Sequence, residues 1–106
     1  MTDVDRFWDR ARSHLAEGRV DDALAAFDAA RVACGWTPTD PRRIALAGEH
    51  GEALFRHRED PDAALAVATP TYEAAAEAID DAREHPDAVR ELWVLRDRMT
   101  FWAFHS

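Results

Sequence analysis

The chain has 106 residues, of which 47% are hydrophobic and 32% charged, and its formal net charge is −8 at pH 7. This length suits one domain, and this composition is typical of a folded protein rather than a disordered one. The negative charge repels phosphate backbones and anionic membrane surfaces, and no apolar run approaches the roughly 20 residues of a membrane span, so we expect no nucleic-acid or membrane partner.

The cellular setting is suggested by residue usage. The single cysteine, Cys34, excludes an intramolecular disulfide, and charges begin at the third residue, where a signal peptide would be apolar. We therefore expect a cytoplasmic protein. All 13 basic residues are arginine, and Lys, Asn and Gln are absent, a bias typical of a GC-rich bacterial genome.

The first two predicted helices form a hairpin over residues 3–34. The first begins after Thr2 or Asp3, and its apolar stripe follows at steps of three and four residues: Val4, Phe7, Trp8, Ala11 and Leu15. Gly18 ends it, because glycine tolerates the left-handed conformation that closes a helix. The second helix buries Ala23, Leu24, Phe27, Ala30 and Cys34, and it ends at Gly35.

The third helix is predicted from Pro41 to His57, with Asp40 as its N-cap. Its apolar stripe contains Ile44, Ala47, Gly51 and Leu54. Gly48 and Gly51 each lower helix propensity by about 1 kcal/mol relative to alanine. A close helix crossing at these glycines is therefore expected.

The fourth helix is predicted from Asp62 to Glu84, with a kink near residues 66–70, because a three-four alternation continues across Pro70. Two shorter helices separated at Thr69-Pro70-Thr71 are the alternative. The last helix is predicted from Asp87 to Phe104. It carries apolar residues on several faces, so it should be covered on several faces.

An internal repeat relates the two hairpin turns. The segment GRVDDAL at 18–24 aligns with EDPDAAL at 59–65, which gives a period of 41 residues and pairs Gly18 with Glu59.

The first hairpin resembles a tetratricopeptide repeat. The resemblance depends on large and small residues at the positions this family uses: Phe7, Ala11, Gly18, Val20, Ala23, Phe27 and Ala30. It implies an all-α domain over residues 1–106, a right-handed stack of hairpins at 3–34 and 40–84 with a capping helix at 87–104. It also implies a concave surface, lined by the first helix of each hairpin, where a peptide would bind: Arg6, Arg10, His14, Glu49, Glu52 and Arg56.

The last helix is rich in large apolar residues. One neighbouring helix is not expected to cover all of them: Trp93, Met99, Phe101, Trp102 and Phe104. They either close the core or form an interface with a partner or a second copy of the chain, since aromatic residues, Met and Arg are enriched at interface centres.

Titratable residues offer weaker candidates for chemistry. His50 and His57 share a helix face but lie about 10 Å apart along its axis, and the HExxH pattern of zinc proteases is absent. A pocket around His50, Glu49 and His57 would make the chain a small ligand-binding protein or enzyme. The acidic ridge, Glu73, Glu77, Asp80, Asp81 and Glu84, is either a solvated face or a contact for a basic partner.

These observations favour a non-enzymatic module that binds a peptide or partner protein, or a second copy of itself. We expect no catalytic residue, cofactor or metal.

Overall fold

The structure is a computed structural model that describes residues 2–106. Over this range the chain forms five α-helices, one short 3-10 turn and no strands. The helices are α1 (Asp3–Ala16), α2 (Val20–Ala33), α3 (Pro41–Arg58), α4 (Pro61–Ala78) and α5 (Pro86–Phe104), and the turn is Ala82–Glu84. The predicted all-α class and the number of helices are confirmed.

Side-chain caps explain where three helices begin. The backbone N–H of Asp5 donates to Thr2 Oγ1, while the Asp5 carboxylate accepts from the Thr2 N–H, so a capping box starts α1. Asp40 Oδ1 accepts from the Arg42 N–H at 2.9 Å and starts α3. Asp60 Oδ1 accepts from the Ala63 N–H at 2.9 Å and starts α4. Each cap satisfies N–H groups that the helix itself cannot pair.

Contacts divide the chain into two compact units. The first ends at Gly35, and in it α1 packs against α2 as the predicted hairpin requires. Its buried residues are Val4, Trp8, Ala11, Ala23, Ala26, Phe27 and Ala30. The second unit is Trp36–Ser106, in which α3, α4 and α5 all pack against one another. The last helix therefore contacts both members of the preceding hairpin.

The core of the second unit combines three large side chains with small ones. Its buried cluster is Ile44, Leu95, Trp102, Ala64, Ala68, Ala75 and Ala88. The alanines on α4 let the neighbouring helices approach closely, so bulk is supplied from α3 and α5. Helix α3 is buried more widely than its predicted stripe, since Leu46, His50 and Ala53 are buried as well.

Helix α4 continues across Pro70, as predicted, but it ends at Ala78 and not at Glu84. Pro70 is exposed, so water can bond the carbonyl that its missing N–H leaves unpaired. The early end has a local cause: the Asp81 side chain accepts from the Arg83 N–H at 2.9 Å and starts the 3-10 turn. Such side-chain bonds to nearby backbone compete with a continuing helix.

The two hairpin turns share one unusual backbone conformation. Within residues 2–106, positive φ occurs at Gly18 (77°) and at Glu59 (52°), the pair that the 41-residue period aligns. Each turn therefore contains one residue with positive φ, although only one of these residues is glycine.

Candidate protein-interaction surfaces

Helix α5 has one buried face and a wide exposed one. Ala88, Leu95 and Trp102 recur every seven residues and are buried, with Leu92 and Met99 half-buried beside them. The exposed side carries Trp93, Val94, Phe101 and Phe104, of which Trp93 is 56%, Phe101 53% and Phe104 84% exposed. The predicted interface set is therefore divided between the core and the surface.

Trp102, which was predicted either to close the core or to form an interface, lies in the core and is 0% exposed. Its ring edge lies against Gly51, where a Cβ added to the glycine would come within 2.4 Å of Cη2. Its Nε1–H donates to Glu52 Oε2 at 3.2 Å. Gly51 thus leaves room for the Trp102 ring of α5, and the same Cβ would lie 3.3 Å from the Ala64 carbonyl oxygen, so the backbone that approaches this glycine closely is that of α4.

An aromatic cluster covers the C-terminal ends of α3 and α5. The Phe55 ring centroid lies 5.5 Å from that of Phe101 and 5.9 Å from that of His105, and the Phe101 and His105 rings are 4.3 Å apart. The Phe104 ring lies 5.5 Å from His105. A cleft of about 340 Å³ opens beside Phe55 and His105. Phe101 and Phe104 are thus the exposed edge of an ordered cluster.

A groove of about 300 Å³ runs between α3 and α5. Ile44 and Leu95 are buried at its base, and its charged lining residues are Glu49, Glu91 and Arg98. Glu49, predicted for the concave surface, therefore lies in a groove within the second unit.

A smaller cleft of about 180 Å³ lies between α4 and α5, and we call it the tyrosine-tryptophan cleft. Its lining residues are Tyr72, Val89, Leu92, Trp93 and Arg96. The guanidinium carbon of Arg96 lies 5.2 Å from the centroid of the Trp93 ring, a cation–π contact. Apart from Arg96, the lining is apolar or aromatic.

The acidic ridge lies on the C-terminal half of α4 and in the segment that follows it. Glu73, Glu77, Asp80 and Glu84 are exposed, and none of these four forms an ion pair within the described range. Asp81 differs, because hydrogen bonds from the Arg83 side chain and backbone hold the pKa of its carboxyl below its usual range. Among residues 2–106, these four carboxylates of the ridge are therefore exposed without a cationic partner.

The residues predicted for a concave surface are placed as follows. In the first unit, Arg6 pairs with Asp3, the Arg10 guanidinium lies 5.7 Å from the Phe7 ring centroid, and His14 is half-buried. In the second unit, Arg56 Nε donates to Glu52 Oε1 at 2.6 Å. A shared peptide-binding face for these residues stays a prediction.

A shared pocket around His50, Glu49 and His57 stays a prediction, because the structure places these residues in different surroundings. His50 is buried, at 2% exposure, whereas His57 is exposed at the end of α3. The groove that Glu49 lines includes neither histidine. Among the described residues, no three His, Cys, Asp or Glu side chains are grouped so that they could hold a metal ion.

Two features were missed by sequence reasoning. The tyrosine-tryptophan cleft joins residues of two helices, and no pattern within one helix reveals it. The exposure of Phe101 beside the burial of Trp102 follows from the rotation of α5 about its axis, which depends on the glycine opposite.

Comparisons with known proteins give no identification. A scan against protein-family models finds no match to this sequence, and a search of curated proteins finds none either. Within residues 2–106, no helix combines the length and apolarity that crossing a membrane requires.

Proposed function

We propose that this chain is a non-enzymatic protein-interaction module and that helix α5 carries its contact surface. The observation that supports this most is the exposure of Trp93, Phe101 and Phe104 on a helix whose other face is buried in the core of the second unit. Large aromatic side chains are enriched at interface centres, where their burial supplies much of the binding energy.

The size of the exposed aromatic area supports this choice of surface. An aromatic side chain buries 150–250 Å² when it is covered, so the three exposed rings together present on the order of 400 Å² to water. The largest apolar patch on a soluble protein is typically of about this size and is often functional. Trp93 lies about 12 Å along the helix axis from Phe101, which is within the span of one interface.

The residues of the predicted concave surface rank lower. Arg56 and Glu52 already bind each other, and Glu52 also accepts a hydrogen bond from Trp102, so a partner would have to displace intramolecular bonds. The tetratricopeptide-like first hairpin is a separate argument for an interaction module. The use of arginine for every basic residue supports a bacterial source, and the single cysteine supports a cytoplasmic location.

The test combines solution mass with capture of a partner. Light scattering measures the molar mass of the purified chain over a hundredfold concentration range, which decides whether a second copy binds. It is then used as bait in wild-type form and as the F101S/F104S double variant. Val32→Ser is the matched control, because Val32 is an 88% exposed apolar residue in the first unit.

We expect the wild-type chain either to self-associate or to capture a partner protein. V32S should keep the same affinity, whereas F101S/F104S should lower it at least tenfold. A photo-crosslinking residue at position 104 should become attached to that protein or to the second copy. Circular dichroism melts establish that the variants are folded. Equal capture and equal mass for wild type and the double variant, with no crosslink at position 104, would refute the proposal.

A further inference from the structure

The exposed side of α5 carries two opposite charges between its apolar side chains. A helix turns by about 100° per residue, so an arc of about 100° lies opposite the buried Ala88, Leu95 and Trp102. We call this arc the outer face of α5. Beyond the first turn of the helix its residues, all of them exposed, are Arg90, Trp93, Val94, Asp97, Phe101 and Phe104.

The carboxylate on this face has no partner in its own helix. No basic residue stands three or four positions before or after Asp97, the spacings at which helical side chains pair, and its neighbours Arg96 and Arg98 are rotated by about 100° to either side. Among residues 2–106, Asp97 forms no ion pair. Arg90, the one basic residue of the outer face, lies about 10 Å away along the axis, which is too far for contact on one helix.

The cation on this face is only weakly held. Arg90 Nη1 lies 3.9 Å from Asp87 Oδ1, and the two side chains are 76% and 75% exposed. Exposed pairs of this kind contribute little to stability. Arg90 can therefore exchange this contact for a carboxylate on another molecule at little cost.

An antiparallel second copy of α5 brings these two charges together. When two outer faces meet with the two-fold axis between residues 93 and 94, each Arg90 lies opposite Asp97 of the other copy, about 5 Å along the helix from the axis. Trp93 and Val94 of both copies then surround the axis, and Phe101 lies over the start of the other helix. A parallel pair would instead set like charges against each other, which is costly. Charge therefore selects both the orientation and the register.

The area of the outer face suits a weak dimer. The exposed aromatic rings of one copy present on the order of 400 Å², so two copies bury on the order of 1,000 Å² once the other residues of the face are included. Specific but weak interfaces lie near this lower limit of size. We therefore expect a dissociation constant on the order of 10–100 µM.

We propose that the chain forms an antiparallel two-fold dimer through the outer face of α5, in which Arg90 of each copy pairs with Asp97 of the other. The aromatic rings on either side partly exclude water from the two ion pairs, which strengthens them relative to exposed ones. The inference rests on the proposed interaction function and names a second copy of the chain as the partner.

Sedimentation equilibrium of the full chain, from about 1 µM to about 1 mM, measures the dissociation constant of the dimer across the expected range. The variants are R90D, D97R, D97N and the charge exchange R90D/D97R. The matched control is D9R, which makes the same charge change as D97R at an exposed aspartate of α1. Circular dichroism establishes that each variant is folded.

R90D and D97R each set like charges against each other, so each should weaken the dimer at least about tenfold. The exchange R90D/D97R keeps two opposite pairs and should dimerise within about threefold of wild type. An equimolar mixture of R90D and D97R should form a mixed dimer of similar affinity, because it also contains two opposite pairs. D9R should behave as wild type does.

D97N separates this register from one centred on Asp97, in which two carboxylates would meet. It should weaken the proposed dimer about threefold or more, and a tighter D97N dimer would overturn the inference. So would a wild-type chain that stays monomeric throughout the range, or a mixture of R90D and D97R that does not dimerise.

Failure of this inference is distinguishable from failure of the proposed function. If the chain is monomeric but captures another protein through Phe101 and Phe104, the proposed function survives and the dimer is refuted. A dimer that F101S/F104S weakens but R90D leaves unchanged likewise retains the contact surface and refutes the pairing of Arg90 with Asp97.

Discussion

Replacing Gly51 with alanine is expected to destabilise the second unit, although alanine is the better helix former. A Cβ at this position would lie 2.4 Å from Cη2 and 2.8 Å from Cζ3 of Trp102, and 3.3 Å from the carbonyl oxygen of Ala64. The indole is fully buried and is hydrogen-bonded to Glu52, so it has little freedom to move away. The added methyl therefore displaces α5 or forces the ring off its preferred rotamer.

Two opposing terms set the magnitude. Alanine gains about 1 kcal/mol of helix propensity over glycine in a helix interior. Overpacking a well-filled core costs about 1–3 kcal/mol, and contacts below 3 Å with a rigid ring belong at the upper end of that range. We expect a net loss of about 1–2 kcal/mol, which lowers the melting temperature of a domain of this size by roughly 5–10 °C.

Gly48→Ala is the matched control on the same helix. Its Cβ would lie 3.2 Å from Arg98 Nη1, the movable end of a long side chain, and 3.7 Å from Leu95 Cδ1. This variant should be stabilised by about 0.5–1 kcal/mol, because propensity is gained without a clash. Urea titrations of both variants provide the comparison. If G51A proved as stable as G48A, the steric argument would be wrong.

A double-mutant cycle identifies the partner in the clash. Trp102→Phe removes the ring edge that approaches Gly51, and by itself it should destabilise the protein by leaving a cavity. In the Trp102→Phe background, Gly51→Ala should cost less than in wild type, or become stabilising. Equal costs in both backgrounds would show that Trp102 is not the obstacle.

Further predictions concern the C-terminal ends of α1 and α3 and the N-cap of α3. Glu59 has φ 52°, a conformation that glycine adopts more easily, so Glu59→Gly should raise the free energy of unfolding by about 0.5–1 kcal/mol in urea titrations. Gly18→Ala should lower it for the same reason. Destabilisation by E59G would contradict this backbone argument. The Arg42 side chain, which hydrogen-bonds Asp40, holds the pKa of that carboxyl below its usual value near ~3.9. Ionised Asp40 is therefore favoured in the folded state. Above pH ~4 the free energy of unfolding of wild type should exceed that of D40N by under ~1 kcal/mol, and this difference should disappear as the pH falls through the lowered pKa. Melts from pH 7 to pH 2 provide the measurement, and a difference that grew in acid would contradict it.

Local signals predicted the elements well because they act within a few residues. Asp40 followed by Pro41 fixes the start of α3, and the three-four alternation carries α4 across Pro70 because that proline is on the exposed side. The end of α4 was predicted wrongly. There, bonds between Asp81 and Arg83 compete with the helix, and such competition is not visible in apolar periodicity.

The candidate surfaces were less predictable, because they depend on contacts distant in sequence. Trp93 and Trp102 both look like interface residues in the sequence, yet only Trp102 faces a glycine, 51 residues earlier, that leaves room for its ring. The burial of His50 likewise required the packing of whole helices. The pairing of Tyr72 with Trp93 needed the register between α4 and α5.

The contact between Gly51 and Trp102 also bears on the order in which the second unit folds. Glycine weakens the middle of α3, and the space beside it is filled by the Trp102 ring of α5 next to the Ala64 carbonyl oxygen of α4. The α3–α4 hairpin closes a short loop, whereas bringing Trp102 to Gly51 closes a much longer one at a greater entropy cost. We therefore expect docking of α5 to complete both the core and α3, so that burial of the Trp102 indole coincides with the last stage of folding.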